Sequence, residues 1–312
     1  EEKVFVNDIL SIKETAGHLV TDFEGQSRAF VQIQNGCNHR CTFCIIPFAR
    51  GNSRSVPFGV ITEEVKKLVE SGYKEIVLTG VDITDYGKDL AGDLTLGRMI
   101  KRLLKLVPNL PRLRLSSIDV AEVDRDIYEL IESEPRFMPY FHISLQSGDD
   151  LILKRMKRRH VRADVLNFVK KVRYLRPDVA FGADIISGFP TEEEENFMNS
   201  YNLIEEAGIS FCHIFSFSPH EGTPASKMPQ VKREIIKKRT LRLIEKGKDE
   251  LTKLLNTMVG SEYNVLLEAG ESVRCENFAM GFVKDVTLKR GQIVKAKALK
   301  VEDGKLAFKI IS

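Results

Sequence analysis

The sequence predicts an α/β protein that ends in a small all-β unit, and three observations carry that prediction. Across the first two-thirds of the chain, apolar β-prone runs alternate with longer amphipathic stretches, the pattern of parallel strands joined by crossover helices. After Pro229 the alternation stops; one long charged helix follows, then short runs bounded by Gly260, Gly270, Gly281, Gly291 and Gly304. The 312 residues are 43% hydrophobic and 29% charged, enough apolar material for a sizeable core, which excludes disordered and collagen-like chains.

The candidate strands, in order, are AFVQIQ (29 to 34), EIVLTG (75 to 80), RLRLSS (112 to 117), YFHISL (140 to 145), VAFGADII (179 to 186) and FCHIFSF (211 to 217). Each is a short apolar run of the kind that is buried in a sheet. Between them lie the helical patterns ITEEVKKLVESG, LTLGRMIKRLLKLV, DRDIYELIES, DDLILKRMKR, DVLNFVKKVRYLR and EEEENFMNSYNLIEEAG. The first and last of these end in Gly72 and Gly208, residues suited to a helix stop. Six β-α repeats result. Such a series curls into an incomplete (β/α) barrel or lies open as a doubly wound sheet, and periodicity fits both; in either, loops at the C-terminal ends of the strands carry the chemistry. The long helix runs from about Lys232 to Leu255. The last ~54 residues read as a small β-barrel, short for an independent fold and therefore expected to dock on the main unit. Residues 1–28 read as a linking segment, 29–230 as the core, 231–255 as a basic linking helix and 256–312 as the barrel.

No run approaches the ~20 apolar residues of a membrane helix, and the N-terminal EEKVFVNDIL is acidic, opposite to a targeting peptide. A cytoplasmic location and no membrane partner are the expectation. The net charge of +3 is too small to imply nucleic acid by itself.

Cysteine is more informative. Of five, Cys37, Cys41 and Cys44 fall within one short loop directly after the first strand, while Cys212 and Cys275 stand alone. Neighbours so close would form strained rings, so a disulfide framework is excluded and a reduced metal site is expected. The segment NGCNHRCTFCIIPFARG spells C-x3-C-x2-C. Zinc sites normally take four protein ligands in paired sets, and no second pair exists here. Three thiolates instead suit three corners of a 4Fe-4S cluster whose fourth iron stays open to a non-protein ligand. His39, inside the loop, reads as solvent-facing. Cys212 and Cys275 read as small core residues, and His142 as a packed strand histidine. The acidic run Glu192 to Glu195 reads as a solvated helix start.

This spacing, with Phe43 before the last cysteine, resembles the radical S-adenosylmethionine enzymes, which implies an incomplete (β/α)6 radical SAM barrel. The family's S-adenosylmethionine chelates the open iron and is cleaved to a 5'-deoxyadenosyl radical. The stretches CTFCIIPFARGNSRS, EIVLTGVDITDYG, HISLQSGDDLILKRMKR, DIISGFPTEEEENF and FSFSPHEGTPASKM look like the methylthiotransferases. CIIPFARG and TGVDITDYG are most similar to the MtaB type, which acts on N6-threonylcarbamoyladenosine at position 37 of tRNA. Other readings are the relatives acting on isopentenyladenosine or on a ribosomal protein, and a non-catalytic metal protein that binds RNA. The C-terminal barrel then resembles the RNA-binding TRAM domain. By position the resemblance makes Cys37, Cys41 and Cys44 the cluster ligands. It places Gly80, Asp82, Ser144, Gln146, Arg155, Asp184 and Gly188 at the cofactor. It implies a flavodoxin- or ferredoxin-like electron donor and a monomer. Full-length relatives carry a further N-terminal domain with three cysteines for a second cluster. No cysteine precedes Cys37 here, so this chain is expected to cleave S-adenosylmethionine without completing methylthiolation.

Charge distribution supports a polyanionic partner. Lys154 to Arg176 holds ten Lys or Arg and one acid, and Lys232 to Lys253 holds nine basic and four acidic residues. Neutralised phosphates release counterions, so tRNA is the expected partner, with Lys154, Arg158, Arg159 and Arg162 as contacts.

Overall fold

The computed structural model of the chain describes residues 9–11, 27–284 and 289–311. The expected linking segment 1–28 lies almost wholly outside them. Strand β1 (Arg28–Asn35) pairs in parallel with β3 (Glu75–Gly80), and β3 with β4 (Arg112–Leu115). The two-residue β2 (Arg54–Ser55) pairs antiparallel at the outer edge of β1. The run expected as one strand over 112 to 117 is broken at Ser116 into β4 and β5 (Ser117–Ile118). Before the break the chain pairs with β3 and after it with β6 (Tyr140–Gln146), so the sheet bends there without losing its order. Parallel pairing continues through β7 (Ala180–Ser187) to β8 (Ile209–Ser216).

The strands thus lie side by side in chain order. A doubly wound sheet reverses its order at a switch point and covers both faces with helices; neither occurs among the described residues. One face carries Ala29, Val31, Ile33, Ile76, Leu78, Phe141, Ile143, Leu145, Ala183 and Ile185, all buried in one core with the helices. Each such fully buried aliphatic or aromatic side chain stabilises by roughly 1.5–3 kcal/mol. Because side chains alternate along a strand, the other face, called the lumen, carries Arg28, Glu75, Arg112, Arg114, His142 and Asp184.

The helices that cover the outer face are α2 (Phe58–Glu70), α3 (Leu96–Leu106), α4 (Arg125–Ser133), α6 (Arg162–Leu175) and α7 (Glu194–Glu206), with the short α1 (Ile46–Arg50) and α5 (Asp150–Arg155) in the upper loops. In α2, Ile61, Val65 and Leu68 form the inward stripe at helical spacing. Thr95, Asp124 and Asp149 cap α3, α4 and α5 by accepting from the Arg98, Ile127 and Ile152 amides.

Helix α8 (Arg233–Met258) runs along β8, where Gly247 allows contact; a Cβ there would stand 2.8 Å from the Cys212 Cβ. The helix leads to β9 (Glu262–Leu267), β10 (Ser272–Arg274), β11 (Met280–Val283), β12 (Ile293–Glu302) and β13 (Lys305–Ile310). These close into a barrel in the order β10-β11-β13-β12-β9 around Val265, Val273, Cys275, Ala298, Leu306 and Phe308.

The barrel docks on the N-terminal ends of the parallel strands through an ionic layer. Glu75 is fully buried and faces Arg114 at 2.9 Å, Arg112 at 3.6 Å and Arg28 at 4.0 Å. Burial alone would raise its carboxyl, but the guanidiniums of Arg114, Arg112 and Arg28 hold it below the usual range. Those arginines reach across to the barrel: Arg112 donates to the Asn264 carbonyl, Arg114 to the Glu276 carbonyl, and Arg28 pairs with Glu268. Among the described residues, no helix is long and apolar enough to cross a membrane.

Candidate active site

The three clustered cysteines lie in the loop after β1, at the C-terminal end of the parallel strands. Two glycines shape the loop. At Gly36, with φ +75°, a Cβ would stand 2.0 Å from the Asn52 carbonyl oxygen, so any side chain is excluded; Gly51, with φ +76°, accepts from the Cys37 amide at 3.0 Å. The Asn38 carboxamide accepts from the Ser53 amide and donates to Asp85. Thr42 fastens the far side of the loop, its amide donating to the Met156 carbonyl and its hydroxyl to that of Arg155.

Cys37, Cys41 and Cys44 face one cavity of about 170 Å³. Its walls bring together residues from five places in the chain: Phe43 and Ile46 from the loop, Val81 and Asp82 after β3, Ser117 and Asp119, Ser144 and Gln146 from β6, and Arg158 after α5. Gln146 has φ +66°, a left-handed conformation rarely taken by a residue other than glycine, asparagine or aspartate. Gly80 allows the close approach of Gln34, whose carbonyl oxygen would meet a Cβ at 2.7 Å, and the Gln34 carboxamide accepts from the Asp82 amide at 2.8 Å. Of the seven cofactor positions expected from sequence, Asp82, Ser144 and Gln146 thus line the cavity and Gly80 shapes its wall.

The others stand apart from it. Asp184 lies in the lumen, bonded to His142 at 2.9 Å and His213 at 3.3 Å. Arg155 donates to the hydroxyl and carbonyl of Thr191. Gly188, with φ +76°, turns the chain under Ile236.

Electrostatics distinguish the thiols. Burial, reinforced by Asp82 and the neighbouring cysteines, pushes the Cys37 thiol up to about 12, and burial likewise raises Cys44. Cys37 and Cys44, so raised, keep their protons until a cation displaces them. Facing them is Arg158, whose side chain is 8% exposed; it donates to Asp119 at 2.8 Å, to the Ser144 carbonyl at 2.8 Å, and approaches the Cys41 sulfur at 3.7 Å. Its Nε is buried with no hydrogen-bond partner among the described residues.

Two expectations are corrected here. Arg158 was expected among the RNA contacts; its guanidinium instead points into the thiol cavity and is shielded from solvent by Asp119 and β6. His39 was expected to face solvent; it is 8% exposed, with Nε2 2.8 Å from Asp82 and 3.5 Å from Glu122, and those bonds raise its imidazole to about 9. The missed signal lies in distant carboxylates, Asp82 and Glu122, which local spacing does not bring to the loop.

The remaining basic stretch is divided: Arg155, Arg162, Arg173 and Arg176 are half-buried, whereas Lys154, Lys157, Arg159, Lys170 and Lys171 are exposed. Arg159 pairs with Glu122 and Arg162 with Glu206, while Arg162 donates further to the Gly148 and Asn199 carbonyls; Lys154 is exposed. Arg173 and Arg176 bond carbonyls at the ends of neighbouring elements. The acidic run at the start of α7 is not simply solvated: Glu192 is buried against Arg239, and Glu194 pairs with Arg239 and Arg242 of α8.

The sequence model of the Radical SAM superfamily matches residues 31–204. Threonylcarbamoyladenosine tRNA methylthiotransferase MtaB of Rickettsia prowazekii is 54% identical over 97% of this chain and 72% of its own length. The protein of the same name from Thermotoga maritima is 41% identical over 79% of this chain and 56% of its own length. Among solved structures, the radical S-adenosylmethionine methyltransferase TsrM from Kitasatospora setae superposes with a TM-score of 0.53 over 78% of this chain and 42% of its own, at 12% identity, a likeness of fold alone. The chain therefore belongs to the radical SAM superfamily and, within it, to the family of the MtaB tRNA methylthiotransferases.

Proposed function

We propose that this chain carries the radical-generating centre and an RNA-binding surface of a tRNA methylthiotransferase acting on N6-threonylcarbamoyladenosine at position 37. The observation that carries the reading is the convergence of three thiols, that of Cys41 buried and those of Cys37 and Cys44 half-buried, and one shielded guanidinium on a single cavity, in a chain 54% identical to an MtaB enzyme over 97% of its length.

The residues fit a 4Fe-4S cluster. Three cysteines supply three ligands and leave one iron without a protein ligand. The thiolates would bring negative charge into the cavity, and the Arg158 guanidinium, with an unpartnered Nε among the described residues, is placed to offset it. When bound, the cluster and S-adenosylmethionine supply a 5'-deoxyadenosyl radical. The chain's own work is positional. Asp119 orients Arg158; Gln34 fixes the Asp82 amide, and His39 and Thr84 fix its carboxylate; Gly80 admits Gln34 to that position. Asp82, Ser144 and Gln146 are assigned to the cofactor at this cavity and Asp184 to the lumen below it. Arg155 and Gly188 are assigned to holding the loops around it.

We assign residues 29–230 to an incomplete (β/α)6 core, 231–255 to a connecting helix and 256–312 to a TRAM-like module. In that module Lys284, Lys300 and Lys309 rim an apolar groove containing Phe282, Leu299 and Ile310, a combination suited to phosphates and unstacked bases. Lys154, Arg159 and Arg162 remain candidate contacts on the core. An electron donor of the flavodoxin or ferredoxin type supplies the reducing electron.

The test is anaerobic reconstitution followed by dithionite, S-adenosylmethionine and tRNA. About four irons per chain and 5'-deoxyadenosine are expected, with tRNA affinity that falls steeply with salt. Tightly held zinc in place of iron, or no 5'-deoxyadenosine, would overturn the reading.

A further inference from the structure

The turn between β10 and β11 leaves the C-terminal barrel and enters the floor of the lumen. Its residue Phe278 has φ +75°, a conformation that a bulky side chain rarely adopts. The shape of the turn is fixed by its own bonds: the Cys275 amide donates to the Ala279 carbonyl, the Phe278 amide to the Cys275 carbonyl, and Arg274 to the Phe278 carbonyl. A strained backbone so firmly fixed indicates that the position of the ring matters.

The ring is placed with care on three sides. It stacks on Tyr140 with centroids 4.4 Å apart and planes 18° apart, and meets Phe211 edge-on at 5.7 Å. The guanidiniums of Arg274, Arg114 and Arg28 lie 4.3, 5.2 and 5.7 Å from its centre.

Beyond Tyr140 the contacts continue upward. The Tyr140 hydroxyl is hydrogen-bonded to His142 Nδ1 at 2.9 Å, and His142 Nε2 to Asp184 Oδ1 at 2.9 Å. Room for this pair comes from Gly182 on the adjacent strand. A Cβ there would stand 2.3 Å from the Tyr140 hydroxyl and 2.5 Å from His142 Nδ1. One line of packed and hydrogen-bonded side chains therefore joins the C-terminal barrel to the middle of the lumen.

We propose that Phe278 is a positioning residue: a plug delivered by the C-terminal barrel that closes the floor of the lumen and, through Tyr140 and His142, fixes the Asp184 carboxylate. The proposal rests on the reading of the lumen as the chamber that receives cofactor and target nucleoside. It gives the barrel a role inside the chamber in addition to its outer surface.

The test uses the full chain with its cluster reconstituted. Phe278→Gly removes the ring while suiting the backbone; Phe278→Asn does the same should glycine loosen the turn, and Phe278→Tyr keeps the ring. Amide hydrogen exchange in β6 and β7 requires no activity. The ringless variants should exchange there roughly tenfold faster than the parent, with β12 and β13 unchanged, and Phe278→Tyr should match the parent. Binding of S-adenosylmethionine, by equilibrium dialysis, should weaken roughly five- to tenfold in Phe278→Gly and in Asp184→Asn, and no further in the double variant. Unchanged protection of β6 and β7, or additive losses of affinity, would overturn the proposal. A parent chain that binds no S-adenosylmethionine would remove the chamber reading, and the exchange measurement would still decide whether Phe278 is the plug.

Discussion

Replacing Arg158 by alanine separates an internal role from an RNA-binding one. Arg158 is the main counter-charge to Asp119, which is 5% exposed; without it the carboxylate keeps only His160 Nδ1 at 3.5 Å and the Ala121 amide at 3.1 Å. Breaking a buried pair by removing one partner costs about 3–5 kcal/mol, and the residual contact with His160 places this case near the lower end. Loss of the bond to the Ser144 carbonyl adds about 1 kcal/mol. The expected destabilisation is therefore about 3–4 kcal/mol, read from denaturant midpoints under anaerobic conditions at matched iron content. Iron retention should fall as well, because the Cys41 sulfur loses the cation 3.7 Å away. The double variant Arg158→Met with Asp119→Leu removes both charges and should regain most of the stability without regaining the iron. A loss below about 1 kcal/mol, together with a salt-dependent drop in tRNA affinity and undiminished iron, would refute the internal placement.

Burial alone would raise the Asp119 carboxyl, but the His160 imidazole 3.5 Å away and the Arg158 charge hold it down to about 2, from an ordinary 3.8. A depressed carboxyl adds stability above its unfolded value that is lost as pH falls toward its folded value. Asp119→Asn should therefore remove about 2 kcal/mol at neutral pH and flatten the acid limb between about pH 4 and 2; an unchanged limb in pH-dependent melting would count against this. Glu75→Gln leaves three guanidiniums without their carboxylate and should cost about 3–5 kcal/mol, with the barrel undocking as an enlarged radius in solution scattering. Unaltered scattering and stability would show that the ionic layer does not hold the barrel. Gly182→Ala forces the Tyr140 and His142 side chains to move and should cost about 1–3 kcal/mol in thermal or denaturant unfolding; a silent substitution would mean that this contact has slack. Alanine at Cys37, Cys41 or Cys44 should abolish iron binding, whereas serine at Cys212 or Cys275 should keep it, by iron analysis of each variant.

What the sequence makes legible is local. The strands at β3 and β6, the helix stops at Gly72 and Gly208, and the cysteine loop are signalled by neighbouring residues: an apolar run, a glycine, or three thiols at short spacing. The choice between a curled and an open sheet is not local. It depends on which face of each strand meets helices, and the evidence for it is the charged inner face of Arg28, Glu75, Arg112, Arg114 and Asp184. Those charges look like surface residues until their cross-strand partners are known. The basic stretch from Lys154 to Arg176 misleads for the same physical reason. A guanidinium offers five donors, and Arg155, Arg158, Arg162, Arg173 and Arg176 use theirs on carbonyls and carboxylates at the ends of other elements. Lysine, a compact and strongly hydrated charge, is the better sequence marker of a solvent-facing cation. On that criterion the proposed RNA contacts move from the arginine-rich stretch to the lysines of the barrel. Lys297 and Lys309 stand directly opposite each other there on β12 and β13. Like charges in that register repel; Glu262, opposite Lys297 on β9, offsets one of them, and a phosphate against Lys309 would answer the other as well as make a contact.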